Sequence, residues 1–94
     1  MQTMILKVVH QGEAFNVQSS KNETGTIKKC IIVLQELGGS EYENEYVCDV
    51  LGNMAACKFN ENDVVMATLR FTTHEYQGKV YQDVLATEIV KIKN

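Results

Sequence analysis

The 94-residue sequence contains no proline and no tryptophan, and no stretch of it is continuously apolar for long. A helix that crosses a membrane needs roughly 20 consecutive apolar residues, so the absence of such a run predicts no transmembrane helix. The N-terminus also lacks a charged segment followed by an apolar one, so no secretory signal is expected and the predicted location is the cytoplasm. Without linkers, repeats or low-complexity tracts, the chain is predicted to form one domain over residues 1–94.

Cysteine and histidine are too scarce and too scattered to suggest a metal site. The three cysteines, Cys30, Cys48 and Cys57, form no CxxC pair, and the two histidines, His10 and His74, lie far from them in the sequence. This spacing does not fit zinc, so no metal or other cofactor is predicted. We expect all three cysteines to be reduced and buried as small apolar side chains.

Motifs that signal catalysis are also absent. The sequence contains no nucleophile elbow, phosphate-binding loop, HExxH motif or paired carboxylates. The protein is therefore predicted not to be an enzyme, although a Cys–His pair formed by residues distant in the sequence stays open as an alternative.

Positive charge is in short supply, with 9 Lys and Arg residues against 12 Asp and Glu residues and a net charge of −3. Proteins that are held to nucleic acid by electrostatic attraction are usually basic. The excess of negative charge therefore argues against simple nucleic-acid binding unless the basic residues are clustered. The hydrophobic content of 45% is sufficient for a globular core.

The most informative stretch covers residues 62–92, where two β-type runs flank a Gln77-Gly78 turn. Apolar and polar residues alternate along both runs, which predicts two strands with one buried face each. Gly78 can adopt the positive φ that a tight hairpin turn needs. The solvent-exposed side of this predicted hairpin combines cationic and aromatic side chains: Arg70, His74, Tyr76, Lys79 and Tyr81.

Upstream of the hairpin, the pattern predicts three more strands and a short helix. In chain order these are a first strand over residues 4–17 with a bend near Gly12, strands over 26–37 and 46–51, and a helix over 53–59 with Asn53 as its N-cap. Five strands with a helix between the third and the fourth are typical of the OB-fold. The predicted fold class is therefore all-β, a five-stranded Greek-key OB-fold barrel with one short helix between strands 3 and 4.

The segment LGNMAACKFNENDVVMATLRFTTHEYQGKVYQDVLATEIVKI resembles the C-terminal half of the OB domains of bacterial single-stranded DNA-binding proteins. The shared features are a strand ending in Gly52, a small helix, a polar turn before a Val-rich strand, and a long hairpin that closes on an Ala-x-Glu-Ile strand. The runs TIKKCIIVLQ and HEYQGKVYQDVLA extend the resemblance to a family of small SSB-like domains of about this length. The resemblance covers nearly the whole chain and implies an OB-fold that binds single-stranded DNA.

Two further features bear on the resemblance. The positions of strand three that carry stacking rings in single-stranded DNA-binding proteins correspond here to Asp49 and Leu51. The second strand is apolar on both faces at its centre, and the first opens with Met4, Ile5 and Leu6. A lone barrel would leave some of this surface uncovered, so we predict a homodimer or homotetramer, as the resemblance also implies.

OB-folds bind oligonucleotides across strands two and three and through the loops between strands one and two and between strands four and five. Cations contact the phosphates and rings stack on the bases. The candidate nucleic-acid-binding residues are Lys21, Lys28, Lys29, Arg70, His74, Tyr76, Lys79 and Tyr81. The structural alternative is that the lysines keep strand surfaces soluble and the tyrosines pack at the rim of the barrel.

The segment between strands two and three points to a different partner. Residues 36–49 contain five carboxylates and no Lys or Arg: Glu36, Glu41, Glu43, Glu45 and Asp49. Carboxylates repel phosphates, so a nucleic-acid path is expected to avoid this segment. It is either a solvated turn or a surface for a basic protein partner at Glu41, Glu43 and Glu45. The alternative function is therefore an OB-fold protein-interaction module that does not bind nucleic acid.

Overall fold

The computed structural model describes residues 1–19, 25–38, 40 and 42–93. Its elements are β1 (Gln2–Gln11), β2 (Phe15–Gln18), β3 (Thr26–Glu36), β4 (Glu45–Leu51), a 3-10 helix (Gly52–Ala56), β5 (Val64–Tyr76) and β6 (Lys79–Lys93). The six strands belong to one sheet. The predicted all-β class is confirmed.

The strands are connected in a Greek-key order. β3 pairs with β1 and β2 on one side and with β4 on the other, while β5 returns to pair with β1. The resulting order, β5-β1-β3-β4, is that of a Greek key. β6 forms an antiparallel hairpin with β5 and meets β4 in parallel at one pair, Asp49 with Leu85. Because the β4–β6 contact is so narrow, closure of the sheet into an OB-fold barrel remains a prediction.

One core lies on the inward face of the curved sheet. The alternation predicted for β5 is confirmed as far as Leu69, since Val65, Ala67 and Leu69 are buried and the side chains between them are not, whereas Phe71, the next apolar residue of the series, is exposed. The other strands and the 3-10 helix complete the core with Leu6, Val8, Cys30, Ile32, Leu34, Cys48, Val50, Ala55, Val84 and Ala86. Residues 70–82 contain no buried side chain, so the tip of the β5–β6 hairpin extends beyond the core.

The predicted first strand is broken, not only bent, which is why the sheet has six strands and not five. β1 ends at Gln11 and β2 begins at Phe15, and both pieces pair with β3. At the break, the N–H of Gly12 donates to the carbonyl of Ile31 at 2.8 Å. A Cβ at position 12 would lie 3.4 Å from that oxygen, so the small residue suits the close approach of the two backbones.

The short helix predicted between the third and fourth strands is present, but its predicted bounds, 53–59, and its predicted N-cap are wrong. The structure has a 3-10 helix over Gly52–Ala56, and Asn53 lies within it instead of capping it. Residues 57–59 are not helical, because the side chain of Gln11 forms hydrogen bonds with their backbone. So short a helix gains little from its own hydrogen bonds, and tertiary bonds decide its shape.

The prediction of buried thiols is confirmed for two cysteines and wrong for the third. Cys30 and Cys48 are fully buried, whereas Cys57 is exposed just after the 3-10 helix. Burial, with a smaller contribution from the charge of Asp49, raises the pKa of the Cys48 thiol to about 12. Cys48 is therefore protonated at neutral pH and behaves as an apolar core residue.

Candidate nucleic-acid interface

One face of the β5–β6 hairpin carries five of the eight predicted binding residues. Directly opposite residues on antiparallel strands share a face, and here His74 is opposite Tyr81 and Tyr76 is opposite Lys79. Arg70 precedes His74 by an even number of residues, so it projects from the same side. We call Arg70, His74, Tyr76, Lys79 and Tyr81 the aromatic-basic face.

The turn between the two strands fixes which residues share this face. Gln77 and Gly78 have φ values of 52° and 79°. Two consecutive positive φ values are typical of a type I′ turn, whose twist matches that of the flanking strands. With two residues in the turn, position 76 pairs with 79, and the register then continues without irregularity as far as Leu69. The composition of the aromatic-basic face therefore follows directly from the spacing of residues around Gly78.

His74 lies between two partners on this face. Its ring stacks on that of Tyr81, with centroids 5.3 Å apart and planes inclined at 20°. His74 also forms a hydrogen bond of 2.5 Å between its Nδ1 and Oδ2 of Asp83. The bond orients the imidazole, so the stacked rings are arranged before any ligand arrives, which reduces the entropy cost of binding. Asp83 also adds a negative charge to the face.

The tip of the hairpin offers the most accessible ring of the aromatic-basic face, and a cation. Tyr76 is 61% exposed, more than Tyr81, and its hydroxyl accepts a hydrogen bond from Gln77 Nε2 at 3.4 Å. Arg70 and Lys79 are exposed. The ion pairs found in the described part of the chain involve neither of them, which leaves both charges available to phosphates.

Lys29 shares the outer surface of the sheet with the aromatic-basic face. Its ammonium lies 3.7 Å from the carboxylate of Asp49. Asp49 is opposite Leu85 on β6, and Leu85 is opposite Arg70 on β5, so a continuous row of side chains joins β4 to the hairpin. The ion pair with Asp49 partly balances the charge of Lys29 and weakens its attraction for a phosphate.

The other two predicted lysines are not brought into this arrangement. Lys28 is exposed and lies opposite Asn16 of β2. Because it is adjacent to Lys29 in the same strand, it points to the opposite face of the sheet. Lys21 lies outside the described residues.

Of the predicted acidic residues that the structure describes, Glu36, Glu43 and Glu45 lie at the connection between β3 and β4, whereas Asp49 belongs to the row that leads to Arg70. Glu45 is exposed and Glu43 is partly buried, while Glu41 lies outside the described residues. Glu36 accepts a hydrogen bond of 2.5 Å from the Tyr46 hydroxyl. This bond, together with burial and the charge of Glu36, raises the pKa of Tyr46, because a phenolate would face the carboxylate. Tyr46 is therefore a neutral donor locked to the acidic region.

The pairing of Asp83 with His74 was not among the features predicted from the sequence. A signal for it was present, because a two-residue turn at Gln77-Gly78 places position 81 opposite 74. Residue 83 then becomes a diagonal neighbour of His74 on the same face, and diagonal neighbours are within reach of long or aromatic side chains.

No helix in the described ranges is long and apolar enough to cross a membrane. The same ranges contain no group of three or more His, Cys, Asp or Glu side chains that could hold a metal ion. Comparison of the chain with models of protein families, with curated proteins and with solved structures found no match.

Proposed function

We propose that the protein is a non-enzymatic, cytoplasmic protein that binds single-stranded nucleic acid through the aromatic-basic face. DNA is placed ahead of RNA because of the resemblance to bacterial single-stranded DNA-binding proteins. The observation that supports the proposal is the register of the β5–β6 hairpin, which gathers three rings and two unpaired cations on one side. Single-strand binding uses this combination, since rings stack on bases of any sequence and cations contact the phosphates.

Stacking supplies most of the affinity in this proposal. A stacked base contributes roughly 1–3 kcal/mol. Tyr76 is the ring most open to a base, and the stacked His74–Tyr81 pair offers a second platform. Arg70 and Lys79 add two phosphate contacts, a small number that agrees with the net charge of −3. We therefore expect moderate affinity and a shallow dependence on salt.

The strand is proposed to run along the outer surface from Lys29, past Arg70, to the tip at Tyr76 and Lys79. The row that joins Asp49, Leu85 and Arg70 makes this surface continuous. Lys29 is favoured over Lys28, because Lys28 points to the opposite face. The acidic β3–β4 connection lies off this path, whereas Asp49 and Asp83 lie on it, and their repulsion of phosphates contributes to the moderate affinity expected.

Two alanine variants test the proposal. Tyr76→Ala should weaken binding of a fluorescein-labelled oligo-dT by roughly 1–3 kcal/mol and leave the salt dependence unchanged, because it removes a stacking ring. Lys79→Ala should weaken binding and reduce the slope of log K against log salt by about 0.7, because it removes one phosphate contact on a single strand. Fluorescence anisotropy at several salt concentrations measures both effects.

Matched controls come from exposed residues away from the aromatic-basic face. Tyr42→Ala removes a ring that is 86% exposed in the acidic connection, and Lys58→Ala removes a cation beyond the 3-10 helix. Both should bind oligo-dT like the parent protein. If Tyr76→Ala and Lys79→Ala also bind like the parent, the aromatic-basic face is not the binding site.

The proposal includes a homodimer formed by the outer face of β1, β5 and β6. An exposed apolar row, Ile5, Met66 and Val90, crosses these strands. A basic row, Lys7, Val64 and Lys93, lies on one side of the apolar row. A row that ends in a carboxylate, Thr3, Thr68 and Glu88, lies on its other side. A twofold axis along the apolar row places the basic row of one copy against Glu88 of the other, which makes the surface self-complementary.

A further inference from the structure

A cleft opens on the opposite side of the β5–β6 hairpin from the aromatic-basic face. β4 and β6 run parallel and meet at Asp49 and Leu85, and no other pair joins them in the described part of the chain. Before that pair the two strands diverge, and a cleft of about 380 Å³ lies between them. It is lined by Glu45, Tyr46, Val47, Phe71, Gln82 and Val84.

The floor of the cleft is apolar and well ordered. Val84 is nearly buried, and the rings of Tyr46 and Phe71 meet edge to face with centroids 5.8 Å apart. The hydrogen bond from Tyr46 to Glu36 fixes the tyrosine ring. Val47 is 63% exposed at the rim, more than a valine usually is in a strand. The floor and rim therefore present apolar surface that a partner side chain could cover.

The walls of the cleft are strand edges. β4 uses one edge to pair with β3, and β6 uses one edge to pair with β5. Among the described residues, the edges that face each other across the cleft are therefore unpaired before Asp49 and Leu85. Unpaired strand edges bind extended peptides through backbone hydrogen bonds. Since β4 and β6 run in the same direction, one peptide strand can run antiparallel to both, which is the more stable pairing.

The charge around the cleft selects the kind of peptide. Glu45 lines the cleft, Glu36 is bonded to Tyr46 in its floor, and the segment 36–57 contains no Lys or Arg. The hairpin contributes no cation either, because Arg70 and Lys79 are on the aromatic-basic face, whereas Glu75 shares the cleft side with Phe71. The negative charge around the cleft repels phosphates and attracts Lys and Arg side chains.

We infer that the cleft between β4 and β6 binds an extended, basic peptide segment of a partner protein. An apolar side chain of the peptide packs on Val84, Phe71 and Tyr46, and flanking Lys or Arg residues face Glu45 and the β3–β4 connection. The hairpin residues of the cleft, Phe71, Gln82 and Val84, lie on the opposite side of the ribbon from the aromatic-basic face, whereas Glu45 and Val47 share the outer side of β4 with Asp49. The inference does not depend on the proposed function.

A displayed library of random 12-residue peptides, selected against the folded protein, tests this inference. The enriched peptides should carry an apolar residue flanked by Lys or Arg. One of them, synthesised with a fluorescent label, should lose at least tenfold in affinity for Glu45→Lys and for Val47→Ser, two exposed sites where the substitutions leave the core intact. Glu61→Lys, an equal charge reversal at a distant exposed turn, should bind the peptide like the parent protein.

Three results would overturn the inference: no enrichment over a selection without protein, enrichment of acidic peptides, or binding that survives both cleft substitutions. Tyr76→Ala should leave peptide binding unchanged, so failure of the nucleic-acid proposal is distinguishable from failure of this one.

Discussion

The side chain of Gln11 joins three segments that are distant in the sequence. At the end of β1, its Nε2 donates to the carbonyl of Cys57 at 2.7 Å and its Oε1 accepts from the N–H of Phe59 at 2.7 Å. The same Nε2 lies 3.6 Å from the Cys30 sulfur in the core. Backbone groups beside a core need partners, and here a single amide satisfies two that the short 3-10 helix leaves free. Gln11 thereby ties the broken first strand to the segment after the helix.

Gln11→Leu is predicted to lower the free energy of unfolding by about 1–2 kcal/mol, because Cys57 and Phe59 lose their hydrogen-bond partner at nearly constant side-chain volume. Urea denaturation followed by circular dichroism measures the change. Gln2→Leu is the matched control, since Gln2 is exposed at the start of β1. Equal unfolding midpoints for the two variants would show that Gln11 does not stabilise the segment.

At the scale of elements, the sequence predicted what depends on local pattern. The alternation in residues 62–92 and the turn at Gly78 predicted the β5–β6 hairpin and the shared face of its rings and cations, because a turn and a period of two suffice to define them. The 3-10 helix, the break after Gln11 and the cleft were not predictable in this way. Each depends on contacts between segments distant in the chain, such as the bonds of Gln11 and the divergence of β4 from β6.

Gly78→Val is predicted to disorder the hairpin tip and weaken oligo-dT binding. Gly78 has a φ of 79°. Placing an L-residue such as valine in that left-handed region costs about 1–2 kcal/mol of conformational free energy. The core lies away from the tip, so global stability should change less than local protection. Amide hydrogen exchange of residues 72–83 measures the loss. Gln77→Asn is the control, because asparagine tolerates a positive φ, and its tip should stay at least as protected as in the parent.

At the scale of the whole molecule, the apolar row of Ile5, Met66 and Val90 predicts the state of assembly. Met66→Lys should convert the dimer to a monomer, because it places a charge at the centre of the contact. Static light scattering at tens of micromolar protein measures the mass. Thr72→Lys adds the same charge farther along β5 and should leave the dimer intact. A parent protein that is already monomeric at this concentration would contradict the assembly.

Stable interfaces bury about 800 Å² on each partner, more than three side chains supply. In the proposed dimer the flanking rows must therefore take part, with lysines of one copy facing Glu88 of the other. The dimer should dissociate more readily as salt is raised, because such rim pairs are screened.

The most direct test of nucleic-acid binding is a titration of labelled oligo-dT with the parent protein at salt concentrations from low to physiological. With Arg70 and Lys79 as the phosphate contacts, binding should saturate, and the slope of log K against log salt should be about −1.4. The small slope distinguishes a surface dominated by stacking from a basic groove. Absence of saturable binding at high micromolar concentrations of folded protein and low salt would contradict the account and leave the peptide cleft as the functional site.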